Sequence, residues 1–185
     1  SQNGNYYGAG NATGVLDVLD SAAVLDLHLS ELNVGRGSRA GVGTGTLQWN
    51  QSEAIAATDV YFGRGYSTGN LAVPTGGEFY LGTEAAPTRT LSIAYNDASN
   101  GTATADLDFS QTNPTFTAFI ADDLSIGRET GAANSASTAA DGRLTLASNS
   151  TLHLGTADAL ATLNIGWSQN GNYYGAGNAT GVLDV

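Results

Sequence analysis

At 185 residues the chain has room for one ordinary domain or for a piece of something elongated. Its formal charge of −11, with six Arg and no Lys on the basic side, weighs against nucleic acid and anionic lipid surfaces as partners. The absence of Cys excludes a disulfide framework and thiolate chemistry, and no apolar run approaches the roughly 20 residues needed to cross a bilayer.

The chain opens on SQNGNYYGAGNATGVLDV, and the same eighteen residues return, letter for letter, as its last eighteen. Ser1 to Gly14 is polar and Gly-rich, without the basic start or apolar run of a signal peptide. There is no Met at position 1 or elsewhere, so the chain is expected to begin after processing or to be cut from a longer one. Val15-Leu16-Asp17-Val18 and Val24 to Leu29 alternate with period 2 and read as strands. Leu32-Asn33-Val34-Gly35 then introduces a template: apolar, any residue, apolar, Gly. Two apolar residues two apart share one face of a strand, and the Gly that follows permits a positive φ, so the chain can turn a corner there.

Gly41-Val42-Gly43-Thr44-Gly45 has the look of a phosphate loop but lacks the Lys and the following helix, so it reads as a corner or projection. Thr46 to Trp49 is a further strand, and the template recurs at Val60-Tyr61-Phe62-Gly63 and Phe79-Tyr80-Leu81-Gly82. It returns with Ala in Leu91-Ser92-Ile93-Ala94, and with Gly in Leu124-Ser125-Ile126-Gly127, Leu152-His153-Leu154-Gly155 and Leu163-Asn164-Ile165-Gly166. Gly35, Gly63, Gly82, Gly127, Gly155 and Gly166 are therefore the expected structural corners. The nearest helical candidate, Thr156 to Leu163, is too short and follows a Gly.

Cutting at each new strand after a polar loop gives unit starts near Gly14, Thr46, Asn70, Thr104, Gly142 and Gly181. The spacing of a few dozen residues is that of solenoids, with segments such as Ser38 to Thr44 and Thr130 to Asp141 projecting as insertions. The fold expected is all-β, a parallel β-solenoid (β-helix) with about five coils per 167-residue tandem repeat. Residues 1–185 form one continuous segment: 1–167 is one long repeat and 168–185 the start of the next copy. Open solenoid ends expose unpaired strand edges, so the ends are expected to meet more array or the next molecule in a fibre.

Gly43-Thr44-Gly45-Thr46-Leu47-Gln48-Trp49, Thr58 to Gly65 and Leu32 to Gly37 resemble the repeats of large secreted bacterial β-solenoid proteins of the autotransporter-passenger and adhesin type. The resemblance covers most of the chain as a style of repeat. It implies export and display outside a cell, and it carries over no catalytic residue.

The acidic pairs Asp122-Asp123 and Asp106/Asp108, and the group Asp17, Asp20 and Asp26, are the candidates for carboxylate chemistry. With no Lys and few partner bases they read as solvent-facing charge. His28 and His153 sit on different units and read as exposed strand residues rather than metal ligands. No metal or other cofactor is expected except structural calcium, for which the usual Gly-Gly-x-Gly-x-Asp repeat is missing. Asn11, Asn50, Asn100 and Asn149 open N-glycosylation acceptors, and Asn178 repeats Asn11; about three such matches arise by chance in a composition like this one. Asn113 is excluded by Pro114. Tyr6, Tyr7 and Tyr66 are the aromatic candidates for stacking on sugars or on a neighbouring rod.

The function these features predict is a structural extracellular protein forming a rod or filament: a surface fibre, coat, adhesion stalk or matrix. Its partners are then itself, as adjacent repeats or neighbouring subunits, and surface glycans, with no nucleic acid and no membrane insertion in this segment. The alternative is an adhesin or an ice- or carbohydrate-binding solenoid. Sporadic pairs such as Thr44/Thr46 and Thr102/Thr104 leave ice binding waiting on an aligned Thr ladder. A polysaccharide-acting enzyme comes third.

Overall fold

Leu47 and Trp49 point inward from one strand while Thr46 and Gln48 are half-exposed, and the same period-2 alternation runs through the chain. Each such segment needs cover for its apolar face and partners for its backbone, and side-by-side strands supply both. A computed structural model describes residues 10–20, 22, 24–38, 41–98, 101–130, 138–169 and 177–185.

Among the described residues there are thirteen strands and no helix. In chain order they are β1 (Ala12–Val18), β2 (His28–Arg36), β3 (Gly43–Trp49), β4 (Ala56–Arg64), β5 (Ser67–Ala72), β6 (Glu78–Leu81) and β7 (Thr88–Asn96). Then come β8 (Gly101–Asp108), β9 (Thr115–Glu129), β10 (Thr138–Thr145), β11 (Ser150–Leu154), β12 (Thr162–Ser168) and β13 (Asn178–Asp184). They form two sheets whose strand pairs are all parallel. Sheet A has the order β1-β3-β5-β8-β10-β13. Sheet B has the order β11-β9-β7-β4-β2, with β6 and β12 also paired to β9.

Register lines like residues up with like. In sheet A, Leu16, Leu47 and Leu71 are in line, as are Leu107, Leu144 and Leu183. β5 meets β8 through Asn70↔Asp106, which brings the next residues, Leu71 and Leu107, into the same column. In sheet B the apolar boxes stack box on box: Leu32, Val60, Leu91, Leu124 and Leu163 in one column, and Val34, Phe62, Ile93, Ile126 and Ile165 in the next. The middle members of both columns are fully buried. Each contributes roughly 1.5–3 kcal/mol on burial. Phe79, Phe109 and Phe116 fill the wider part of the core, with ring centroids 4.5–6.4 Å apart. Trp49 is fully buried as well, so it is core and offers no surface for stacking.

The predicted corner glycines divide into two kinds. All six take a positive φ, between 62° and 79°. Gly82 and Gly155 stand just past the ends of β6 and β11 and open the same turn. There the Thr83 and Thr156 amides donate to the Ala86 and Ala159 carbonyls. Gly35, Gly63, Gly127 and Gly166 lie inside strands instead. The ladder skips each of them, running Val34↔Phe62 and then Arg36↔Arg64. A positive-φ residue inside a strand shifts the inward–outward alternation by one. Tyr61 and Arg64, three apart, consequently share the outer face, with the guanidinium 4.4 Å from the ring centroid.

The two sheets touch backbone to backbone along one seam. Gly45, Gly69, Gly142 and Gly181 each press on the box glycine of the preceding sheet-B strand: Gly35, Gly63, Gly127 and Gly166 respectively. Ala105 holds the same register position on β8, and β7 before it carries Ala94 in place of the box Gly. The level that lacks one glycine therefore lacks both. Ala94 keeps a φ of 59°, rare for a residue with a Cβ.

Candidate functional site

What the fold presents outward is two ladders and two ends. On sheet B, the residue after each box Gly or Ala forms a column: Arg36, Arg64, Tyr95, Arg128 and Trp167. Neighbours in such a column are about 4.8 Å apart. Arg64 donates to Glu31 at 2.7 Å and to Asp97 at 2.9 Å, and Arg36 donates to Glu31 at 3.2 Å. Arg128 donates to Asp123 at 3.0 Å and lies 5.1 Å from the Trp167 ring. Tyr61 and Tyr95 stack at 5.8 Å beside them. Two adjacent guanidinium groups, Arg36 and Arg64, thus lead into a run in which ring and cation alternate through Tyr95, Arg128 and Trp167, and each cation is held by a carboxylate from the same face.

The electrostatics follow from that packing. Partial burial alone would push the Glu31 carboxyl up, but the hydrogen bond from Asn33 and the Arg64 and Arg36 guanidinium groups outweigh it and hold its pKa below the ordinary 4.5. Burial raises the Tyr61 phenol above its ordinary 10.0, against the opposing pull of Arg64. Arg64 is raised above its ordinary value: desolvation, the largest influence, works the other way and is overcome by Asp97 and Glu31.

On sheet A the outer face carries a threonine column. Thr13, Thr44, Thr68 and Thr104 are in register, Asp141 breaks the run, and Thr180 follows. Thr68 and Thr104 share a 2.9 Å hydroxyl hydrogen bond. The next outward column, Val15, Thr46, Asn70, Asp106, Arg143 and Val182, is chemically mixed.

The acidic candidates do not converge. Asp123 binds Arg128 and Ser125, while Asp17, Asp20, Asp106, Asp108 and Asp122 are exposed. Among the described residues no three His, Cys, Asp or Glu side chains come together as metal ligands, which leaves structural calcium without a ligand set there. His28 lies 3.0 Å from Asp26 at the surface, and His153 stacks on Phe119 at 4.3 Å. Gly43 and Gly45 belong to β3 rather than to a phosphate loop.

The sequons differ in exposure. Asn149 is exposed at a turn, Asn178 is exposed at the start of β13, and Asn11 is exposed with its Oδ1 3.3 Å from the Val42 amide. Asn50 is half-buried; its Nδ2 donates to the Leu19 carbonyl and its Oδ1 accepts from the Glu78 amide. Asn100, Tyr6 and Tyr7 lie outside the described residues. Tyr66 is half-buried with its ring over Gly101, so it is packed rather than projecting. Sequence reasoning missed the Arg members of the sheet-B column and the inner glycines of sheet A. The signal for the first is the residue after each box; for the second it is the repeated Gly-x-Leu of Gly14, Gly45, Gly69, Gly142 and Gly181.

Both ends of the stack expose apolar side chains. Leu16 is 40% exposed on β1, and Leu163 and Ile165 are 45% and 44% exposed on β12. No protein-family model, curated protein or solved structure matches the chain.

Proposed function

We propose that the two parallel sheets are the walls of one β-solenoid and that the chain is a repeat unit of a structural rod or filament displayed outside the cell. The observation that carries this reading is the register of like residues in the apolar columns of both sheets. Leu, Val and Ile columns run the length of the stack and stop, still apolar, at both ends. A column that ends exposed is completed only by another level of the same kind. Five sheet-B levels at about 4.8 Å would advance the rod by about 24 Å per 167-residue repeat. An antibody to this chain should label thin filaments on intact cells in electron microscopy, and fibre diffraction of that material should show a meridional reflection near 4.8 Å. Label confined to the cell interior would overturn the proposal. So would turnover of an acidic glycan by the purified chain, which would favour an enzyme.

The threonine column supports a second reading, a binding wall for ice or a glycan. Four successive threonines repeat at the strand spacing, with their methyl and hydroxyl groups on an outer face. Only one column is regular, and Asp141 interrupts it, so this reading ranks below the first. Thermal hysteresis by the purified protein, abolished in T68A/T104A, is the result that would reverse the ranking.

A further inference from the structure

We propose that a second copy of this chain docks head to tail, β13 of one copy taking the place of β1 on β3 of the next. The proposal rests on the rod reading above and specifies how its levels join.

Asn178–Asp184 repeats Asn11–Asp17 residue for residue. One chain therefore shows the same heptapeptide with each of its two edges in use. As β13 it pairs with β10, Ala140↔Ala179 to Thr145↔Asp184. As β1 it pairs with β3, Ala12↔Gly43 to Asp17↔Gln48. Both pairings are parallel and use opposite edges, so one strand can hold both at once.

The strand count selects replacement over simple stacking. Sheet A has six strands in its order, while the path through sheet B has five. Intact copies stacked end on end would leave sheet B one strand short at every junction. With β13 in the place of β1 the counts match, and β12 lies directly beside β2 of the next copy.

The seam agrees with this count. A Cβ built on Gly181 would press on Gly166 of the strand before it, whereas one built on its twin Gly14 would meet nothing within 4 Å among the described residues. A cavity of about 430 Å³ opens at the same end, lined by Gly14, Leu16, Val34, Gly35 and Leu47 among others. On sheet B, box on box would set Leu163 against Leu32, Asn164 against Asn33, Ile165 against Val34 and Trp167 against Arg36 of the next copy. Asn33 holds a buried Oδ1 with no hydrogen-bond partner among the described residues, and Trp167 would lie between Arg128 and the incoming Arg36.

The native chain has no Cys, so a designed pair reports the junction directly. Replacement sets Thr180 opposite Thr44 of the next copy; stacking of intact copies sets it opposite Thr13. Within one chain either pair is separated by at least four strand spacings, about 19 Å, far beyond the ~7 Å Cα reach of a disulfide. T44C/T180C, mildly oxidised at micromolar concentration, should run as a ladder of linked oligomers that reductant collapses, while T13C/T180C should run like the T180C control. A ladder from T13C/T180C alone, or from neither variant, would overturn the proposal. Antibody-labelled filaments on cells alongside such a result would leave the rod reading standing and reject only this junction.

Discussion

A Cβ placed on Gly142 would stand 2.5 Å from the amide nitrogen of Gly127, closer than real Cβ contacts come. The two sheets approach through that gap, which only hydrogen can fill. G142A therefore forces the seam open, and overpacking of this kind costs roughly 1–3 kcal/mol. G14A makes the same chemical change where nothing lies within 4 Å among the described residues, and it should be near neutral. Chemical denaturation of the two variants side by side tests the seam; equal losses would refute it.

Core columns should weaken toward their ends. Leu124 is fully buried in mid-column, and Leu163, in register with it, is 45% exposed. L124A should cost about 2–5 kcal/mol, the range for a buried leucine that leaves a cavity. L163A should cost well under half as much. Calorimetry at low protein concentration separates the two, since assembly would bury Leu163 and raise its cost.

The Glu31 network makes a small pH-dependent contribution. Its carboxyl is held below 4.5 in the folded chain, so the stabilisation is present above about pH 4.5 and is lost as the pH falls through the folded pKa. Glu31 is one-third exposed, which limits E31Q to a loss of about 1 kcal/mol or less at pH 7. Urea titrations of wild type and E31Q should differ at pH 7 and converge as the pH falls through the folded pKa of Glu31. A gap that widens in acid would contradict the assignment.

A glycan on Asn50 would have to break the bonds to Leu19 and Glu78, whereas one on Asn149 would extend into solvent. Folded protein secreted from a glycosylating host should carry sugar at Asn149 and none at Asn50, as read by mass spectrometry of the glycopeptides. Full occupancy of Asn50 in folded material would show that the side chain is not held as described.

The β character of the chain was legible in segments as short as Thr46 to Trp49, because side-chain alternation is a local property. The unit starts read from the sequence also fall within a residue of the seam position in register: Gly14, Gly142 and Gly181 on it, Thr46 and Asn70 one after it, Thr104 one before. Local reading failed where two distant segments share one space. The Gly of Leu32 to Gly35 reads as a corner, yet it lies inside β2, because its partner is Gly45 on the other sheet. Tyr66 reads as a candidate for surface stacking, yet it is half-buried with its ring over Gly101.

The sequence alone determined the strand class and the identity of the first and last eighteen residues, since each follows from patterns along the chain. The structure bears out the parallel pairing read from the sequence, but only the tertiary structure decided that the residues after the boxes form a cation–aromatic ladder and that the threonines line up. Those depend on which strand lies beside which, and register between segments dozens of residues apart is set by packing rather than by any one segment's own preference.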